Sequence, residues 1–267
     1  SIAVLNGICE ADIEPARALG AVPVLNTPQQ ISLWKAAGGA KCHVMIDSGI
    51  NRLGLGPEQA TSELLDGLEI DILMSHLASA DEDTPQNLNQ LNCFNEVAGQ
   101  ISACRKSMSN SAAIALGAEY SFDLTRPGLG LYGGIPRREL SSNIRPVVRI
   151  EAAILQIREI AATQPVGYNA TYVTESKAKL ATVAVGYADG FFRGFSNNSS
   201  ALVAGYICPV VGRISMDLSI IDVSSVVDAR EGDWVELSFN LSVASQISGM
   251  SQYELLTLLG VRASREW

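Results

Sequence analysis

Histidine is nearly absent from this chain, with two in 267 residues, and lysine occurs only at Lys35, Lys41, Lys106, Lys177 and Lys179. Basic residues are outnumbered, 19 Lys and Arg against 28 Asp and Glu, for a formal charge of -9. That balance excludes a nucleic-acid surface or an anionic membrane surface as the main partner, because both recruit Lys and Arg in excess. No apolar run reaches the ~18–20 residues of a membrane span, and no basic stretch followed by an apolar core marks a signal peptide. The five cysteines (Cys9, Cys42, Cys93, Cys104, Cys208) form an odd set without a C-x-x-C pair or zinc-like spacing. Reduced thiols in a cytoplasmic protein, and no metal site, are therefore expected. Low-complexity tracts and internal repeats are also missing. With 47% hydrophobic residues the chain can bury a real core, so a folded protein acting on a small molecule is the expectation.

What is present begins as alternating β-branched runs and helix-patterned segments, the mark of βα units on a parallel sheet. Six strands are predicted, at residues 2–7, 21–26, 41–47, 70–78, 107–111 and 122–126. "TPQQ" predicts a helix start with Thr27 as N-cap, Pro28 in the first turn and Gln30 closing a capping box. A second helix opens at "DTPQNLNQL", where Leu88, Leu91, Val97 and Ile101 share one face. After "RRELSSN" the pattern changes to long alternating strands, "RPVVRIEAAILQIREI", "AKLATVAVGYADG", "CPVVGRISMDLSIIDVSS" and "EGDWVELSF", and a closing helix over 251–267. The expected organisation is a partial (β/α) barrel over 1–138 followed by a mostly antiparallel β domain over 139–267.

The polar motifs of the first half sit just after strands, where (β/α) barrels carry their chemistry. Six units cannot close an eight-stranded (β/α)8 TIM-type barrel. Position 1 is Ser, and "IAVLNG" follows at once as a strand, so two further βα units are expected on the N-terminal side.

In order, "DSGINRLG", "SHLASAD", "SNSAA", "TRPGLGLYG", "VGYNATY", "VGYADGFFRG", "VGRISMD" and "QYELLT" make the chain resemble the alanine racemases over nearly its whole length. The resemblance implies an amino-acid racemase (isomerase) dependent on pyridoxal 5'-phosphate, interconverting L- and D-alanine for cell-wall peptidoglycan precursors. It also implies a homodimer in which the β domain reaches the partner's site. Racemisation needs an acid/base group on each face of the substrate carbon. Tyr187 matches one of them. The other, in the family, is the lysine that forms the Schiff base in a K-x-N-A-Y-G-H-like motif, and no such motif occurs here. His76 and Arg126 match the residues that link the tyrosine to the cofactor, and Arg126 also the donor to the pyridine nitrogen. A guanidinium keeps its proton, so the ring nitrogen stays unprotonated and side reactions are disfavoured.

Ser111, Gly128, Leu129 and Tyr253 match the positions that hold the phosphate. Arg52 and Met216 match the groups that meet the substrate carboxylate, Arg52 also the phenolic oxygen of the cofactor. Read singly, Tyr253 is plain helix packing and Met216 plain core; the order of the motifs assigns them. Three positions depart from the family pattern. Met45 stands where many members carry a carbamylated lysine that orients the arginine, which leaves an anion such as chloride as the expected holder of Arg52. Ser107 replaces a frequent histidine and Asn169 a frequent glycine, neither expected to touch the chemistry. A serine or broad-specificity racemase, and a non-catalytic remnant, are the alternatives. Without the lysine, the 267-residue chain by itself is expected to be inactive.

Overall fold

A computed structural model describes residues 2–39 and 41–266. The chain divides into two compact units, Ser1–Gly130 with Pro136–Ser141, and Leu131–Ile135 with Ser142–Trp267. The division is not a single cut: the chain enters the second unit at Leu131, returns to the first at Pro136 and leaves it again after Ser141.

The first unit is a βα array. Strands β1 (Ala3–Val4), β2 (Val22–Leu25), β3 (Lys41–Met45), β4 (Glu69–Met74) and β5 (Arg105–Ser107) form one parallel sheet in sequence order. Helices α1 (Ile13–Leu19), α2 (Pro28–Ala36), α3 (Ser62–Leu65) and α4 (Pro85–Ala98) fill the crossovers. Alternation gives the strands two apolar faces. Leu25, Val44, Ile46 and Leu73 meet Ile31, Trp34, Leu91 and Phe94 of the helices, whereas Val24, Met45, Ile72 and Met74 form a second cluster on the other face.

Helix α2 starts as its sequence predicts, with the Thr27 hydroxyl accepting from the Gln30 amide at 3.1 Å. The capping box does not close, because the Gln30 carboxamide accepts instead from the Asn26 amide, one residue before the N-cap. Helix α4 is capped by Thr84, but Leu88 is 54% exposed. Asn87 and Gln90 take its place on the inner face, where they bond to the loop that follows β4.

The expected sixth strand at 122–126 does not form. The segment does run beside β5, with the Asp123 and Arg126 amides donating to the Lys106 and Ser109 carbonyls. However, the Lys106 amide donates to the Asp123 carboxylate rather than to a backbone carbonyl, and Phe122 is at φ 50°, so no ladder propagates.

In the second unit, β6 (Ile150–Ile160), β9 (Ala178–Val183), β10 (Ser200–Val203), β11 (Tyr206–Pro209), β12 (Ser219–Asp222) and β13 (Trp234–Leu237) pair antiparallel in the order β11-β10-β13-β6-β9-β12. β7 (Pro165–Val166) and β8 (Tyr172–Val173) make a separate hairpin. One face of the sheet buries Val183, Ile221 and Val235 against Phe191, Phe195 and Leu255. Two of the long predicted strands are cut short: β9 ends at Val183, and "CPVVGRISMDLSIIDVSS" breaks at the 211–218 loop before β12. The closing helix is also shorter than predicted, α6 covering only Gln252–Thr257, and it is preceded by a helix not predicted, α5 (Leu241–Ser248), which ends at Gly249, φ 74°. Asn169 is at φ 60°, a left-handed conformation that asparagine tolerates where the family often has glycine.

Candidate active site

In the first unit, the residues singled out by motif gather at the C-terminal ends of the parallel strands. Asp47, two residues beyond β3, turns the chain back on itself. Its Oδ1 accepts from the amides of Gly49, Ile50 and Asn51, and its Oδ2 from that of Arg52. The Arg52 side chain is left exposed, with no hydrogen bond or ion pair of its own among the described residues. Met45, 9% exposed, packs against Val24, Ile72, Met74 and Leu124.

After β4 come Ser75 and His76. Helix α4 reaches across with Gln90, 1% exposed, whose Nε2 donates to the His76 carbonyl at 3.1 Å and whose Oε1 accepts from the Ala78 amide at 2.9 Å. The Ser75 hydroxyl donates to the Ile46 carbonyl and shares a hydrogen bond of 2.7 Å with Ser48. The backbone at His76 is thus tied to both the neighbouring strand and the helix layer.

Arg126 is half-buried and anchored twice, Nη2 donating to the Ser75 carbonyl at 2.5 Å and Nη1 to the Ser107 hydroxyl. Ser107, expected to stand apart from the chemistry, is therefore a direct partner of Arg126; it donates onward to the Leu124 carbonyl at 2.6 Å. Burial lowers the Arg126 pKa to about 10, so the side chain remains a cation at neutral pH. Burial, then the charges of Arg126 and Arg52, push His76 down to about 4. His76 is accordingly a neutral imidazole at pH 7, with one nitrogen donating and one accepting.

The "SNSAA" turn after β5 places Ser111, 6% exposed, under the start of the short helical turn Leu129–Tyr132. Ser111 Oγ accepts from the amides of Gly128 at 2.9 Å and Gly130 at 3.0 Å. Its hydroxyl hydrogen remains free to donate, and the Leu129 amide at the start of the turn has no intrahelical acceptor.

In the second unit, Tyr187 begins a short helical turn over Tyr187–Asp189, just past the end of β9. Its amide donates to the Ser215 carbonyl at 3.1 Å and that of Ala188 to the Met216 carbonyl at 2.9 Å, so Tyr187 and Met216 lie side by side. The approach depends on glycine: a Cβ at Gly186 would stand 2.4 Å from the Met216 oxygen. Asp189 Oδ2 accepts from the Gly186 amide at 3.0 Å and closes the turn. The Met216 side chain is 54% exposed, not core. Tyr253 lies half-exposed in the first turn of α6, capped by Ser251.

Motif reading assigns no role to Ser48, Ser75, Gln90 or Ser107. Their roles run through hydrogen bonds between distant segments, and the visible signal is Asn87 with Gln90, polar residues on an inner face shared with Leu91, Phe94, Val97 and Ala98. Among the described residues there is no cluster of three His, Cys, Asp or Glu able to hold a metal ion, and no helix long and apolar enough to cross a membrane.

The chain is similar to known proteins over nearly its whole length. The family described as alanine racemase, N-terminal domain, matches residues 1–136, and alanine racemase, C-terminal domain, matches residues 147–267. The alanine racemase of Rhodospirillum rubrum is 39% identical over 280 residues, covering 99% of this chain and 75% of that protein. The alanine racemase of Rickettsia canadensis is 36% identical, covering 100% of this chain and 78% of its own length. The crystal structure of the Bartonella henselae alanine racemase with covalently bound pyridoxal phosphate superposes with a TM-score of 0.89 at 34% identity, covering 99% of this chain and 78% of that one. The parallel βα array is thus a (β/α)-barrel portion and the second unit the β domain of that fold, and the chain belongs to the alanine racemase family.

Proposed function

We propose that this chain carries the site of an alanine racemase that uses pyridoxal 5'-phosphate to interconvert L- and D-alanine. The observation that supports this best is the Ser111 cradle beside the anchored Arg126. A hydroxyl whose oxygen already accepts two amides, with a further amide at a helix start, offers donors only, which is what a phosphate requires. Arg126 offers a fixed cationic donor for a pyridine nitrogen, with its two terminal nitrogens held by Ser75 and Ser107. These residues of the first unit fit the cofactor, and the family pattern assigns Tyr253 as a further phosphate contact. When bound, the cofactor supplies an electron sink for the carbanion at the substrate α-carbon.

The protein's part is to move protons and to hold the carboxylate. Tyr187 gives and takes the α-proton on one face through its phenolic oxygen. His76, neutral at working pH, can accept from one side and donate to the other, so it relays hydrogen bonding between the tyrosine and Arg126 without adding a charge. Arg52 and the Met216 backbone amide hold the substrate carboxylate. Tyr187 and Met216 act in the partner's site of a homodimer; the backbone hydrogen bonds from the Tyr187 and Ala188 amides to the Ser215 and Met216 carbonyls hold their two segments together. With Met45 packed in an apolar cluster, Arg52 is steered through its backbone by Asp47, and an anion such as chloride is the remaining partner of its side chain.

The opposite proton-transfer group is not among this chain's lysines. Lys35 donates to the Leu64 carbonyl, Lys41 pairs with Asp71, Lys177 with Glu159, and Lys179 donates to the Val226, Val227 and Ala229 carbonyls. Lys106 lies on β5 beside Asp123. The 267 residues alone are therefore expected not to racemise alanine. The five cysteines are unpaired in the fold, which suits a cytoplasmic enzyme supplying D-alanine to the cell wall. Turnover of a panel of L-amino acids by a complete racemase carrying this sequence tests the substrate. A preference for serine over alanine would overturn the assignment.

A further inference from the structure

Arg193 lies over the face of Tyr187, its guanidinium carbon 5.0 Å from the ring centre. The placement is built into the turn. Phe191 and Phe195 are fully buried and stacked at 4.7 Å, so the short helical turn Arg193–Phe195 is pinned to the core on both sides of Arg193. Gly190, at φ 97°, reverses the chain between the two aromatic groups; a Cβ there would stand 2.9 Å from the Leu258 oxygen. The exposed Arg193 side chain is therefore directed back over the phenol by its own backbone.

Three of the other charges around the turn, Asp189, Arg262 and Asp217, engage one another. Asp189 lies 3.3 Å from Arg262 of the C-terminal stretch, and Arg262 binds Asp217 at 2.7 Å. Asp217 and Arg213 lie on the segment that accepts the Tyr187 and Ala188 amides. Arg193 is the cation on the ring itself. An aromatic face is negative, so a guanidinium stacked on it attracts the ring and restrains its rotation.

We propose that Arg193 is the positioning residue for Tyr187: it holds the ring in one orientation. This rests on Tyr187 being the proton-transfer group. The test is steady-state kinetics with alanine, together with α-proton exchange followed separately from each enantiomer, in a complete racemase carrying this sequence. Arg193→Gln should lower kcat roughly two- to fivefold and slow exchange mainly from the enantiomer that depends on Tyr187. Arg193→Lys, which keeps the charge but not the planar stack, should fall in between. KM should change less than about twofold. An unchanged kcat and unchanged exchange in a folded Arg193→Gln protein overturn the proposal. The assignment of Tyr187 fails on a separate observation, undiminished α-proton exchange from both enantiomers in Tyr187→Phe, and takes the role of Arg193 with it.

Discussion

Asp47 holds Arg52 through its backbone: one carboxylate oxygen accepts from the Gly49, Ile50 and Asn51 amides, and the other from the Arg52 amide at 3.1 Å. The loop that presents the guanidinium is thus organised from its first residue. Substituting Asp47→Ala removes every one of these acceptors. Because hydrogen bonds to a charged group contribute about 1.5–3 kcal/mol each and are not additive, a loss of roughly 2–4 kcal/mol is expected. Denaturant melts read the stability, and a KM for alanine raised more than kcat is lowered reads the drift of Arg52.

Ser111→Ala deletes the acceptor shared by the Gly128 and Gly130 amides and the free hydroxyl proposed to meet the phosphate. Cofactor affinity should fall about tenfold or more, in proportion to one lost charge-assisted hydrogen bond. Fluorescence titration with pyridoxal phosphate measures it. Affinity equal to that of the unsubstituted protein would remove Ser111 from the phosphate site.

Gly186→Ala should be costly, because its Cβ would stand 2.4 Å from the Met216 oxygen, a backbone atom that cannot move without the 215–218 segment. A displacement of about 1 Å at a reacting group can cost on the order of 100-fold in rate. We expect kcat to fall by that order, with the apolar core of the unit retained in the near-ultraviolet circular dichroism.

His76 makes stability depend on pH in a defined direction. Its folded pKa, about 4, lies below the unfolded value of 6.5, since burial and two arginines penalise the imidazolium. Between those values the unfolded chain binds a proton that the folded chain does not, so stability is full above about pH 6.5 and declines as pH falls toward 4. His43, also lowered by burial, acts in the same sense. The decline should be shallower in His76→Asn by the share due to this one residue. Equal slopes in the two proteins between pH 6.5 and 4 would contradict the buried neutral imidazole.

The fold was legible wherever the signal was local. Thr27 and Thr84 cap their helices as the hydroxyl-Pro pairs imply, and the change from βα units to antiparallel strands is visible in the loss of helical periods. The segment at 122–126 shows the limit: its residues suit a strand, but Asp123 satisfies the Lys106 amide with a side chain, which no propensity encodes. The motifs single out Arg126 and Ser111, which the fold brings close to the strand ends, and Tyr187, which it sets on the short turn after β9. The site was not legible where a residue acts by reaching another segment. Gln90 and Ser107 are ordinary polar residues in the sequence, and only the packing of α4 on the strand ends and the approach of Arg126 to β5 gives them partners.

The central claim is that Tyr187 exchanges a proton with one face of alanine, opposite a second group. The direct measurement is α-hydrogen exchange with deuterated solvent, followed separately from L- and D-alanine, for Tyr187→Phe in a complete racemase carrying this sequence. Exchange from one enantiomer should fall by about 100-fold or more while exchange from the other is largely retained, in keeping with the usual weight of general acid–base catalysis. Equal loss from both enantiomers, or no loss from either, would contradict the account.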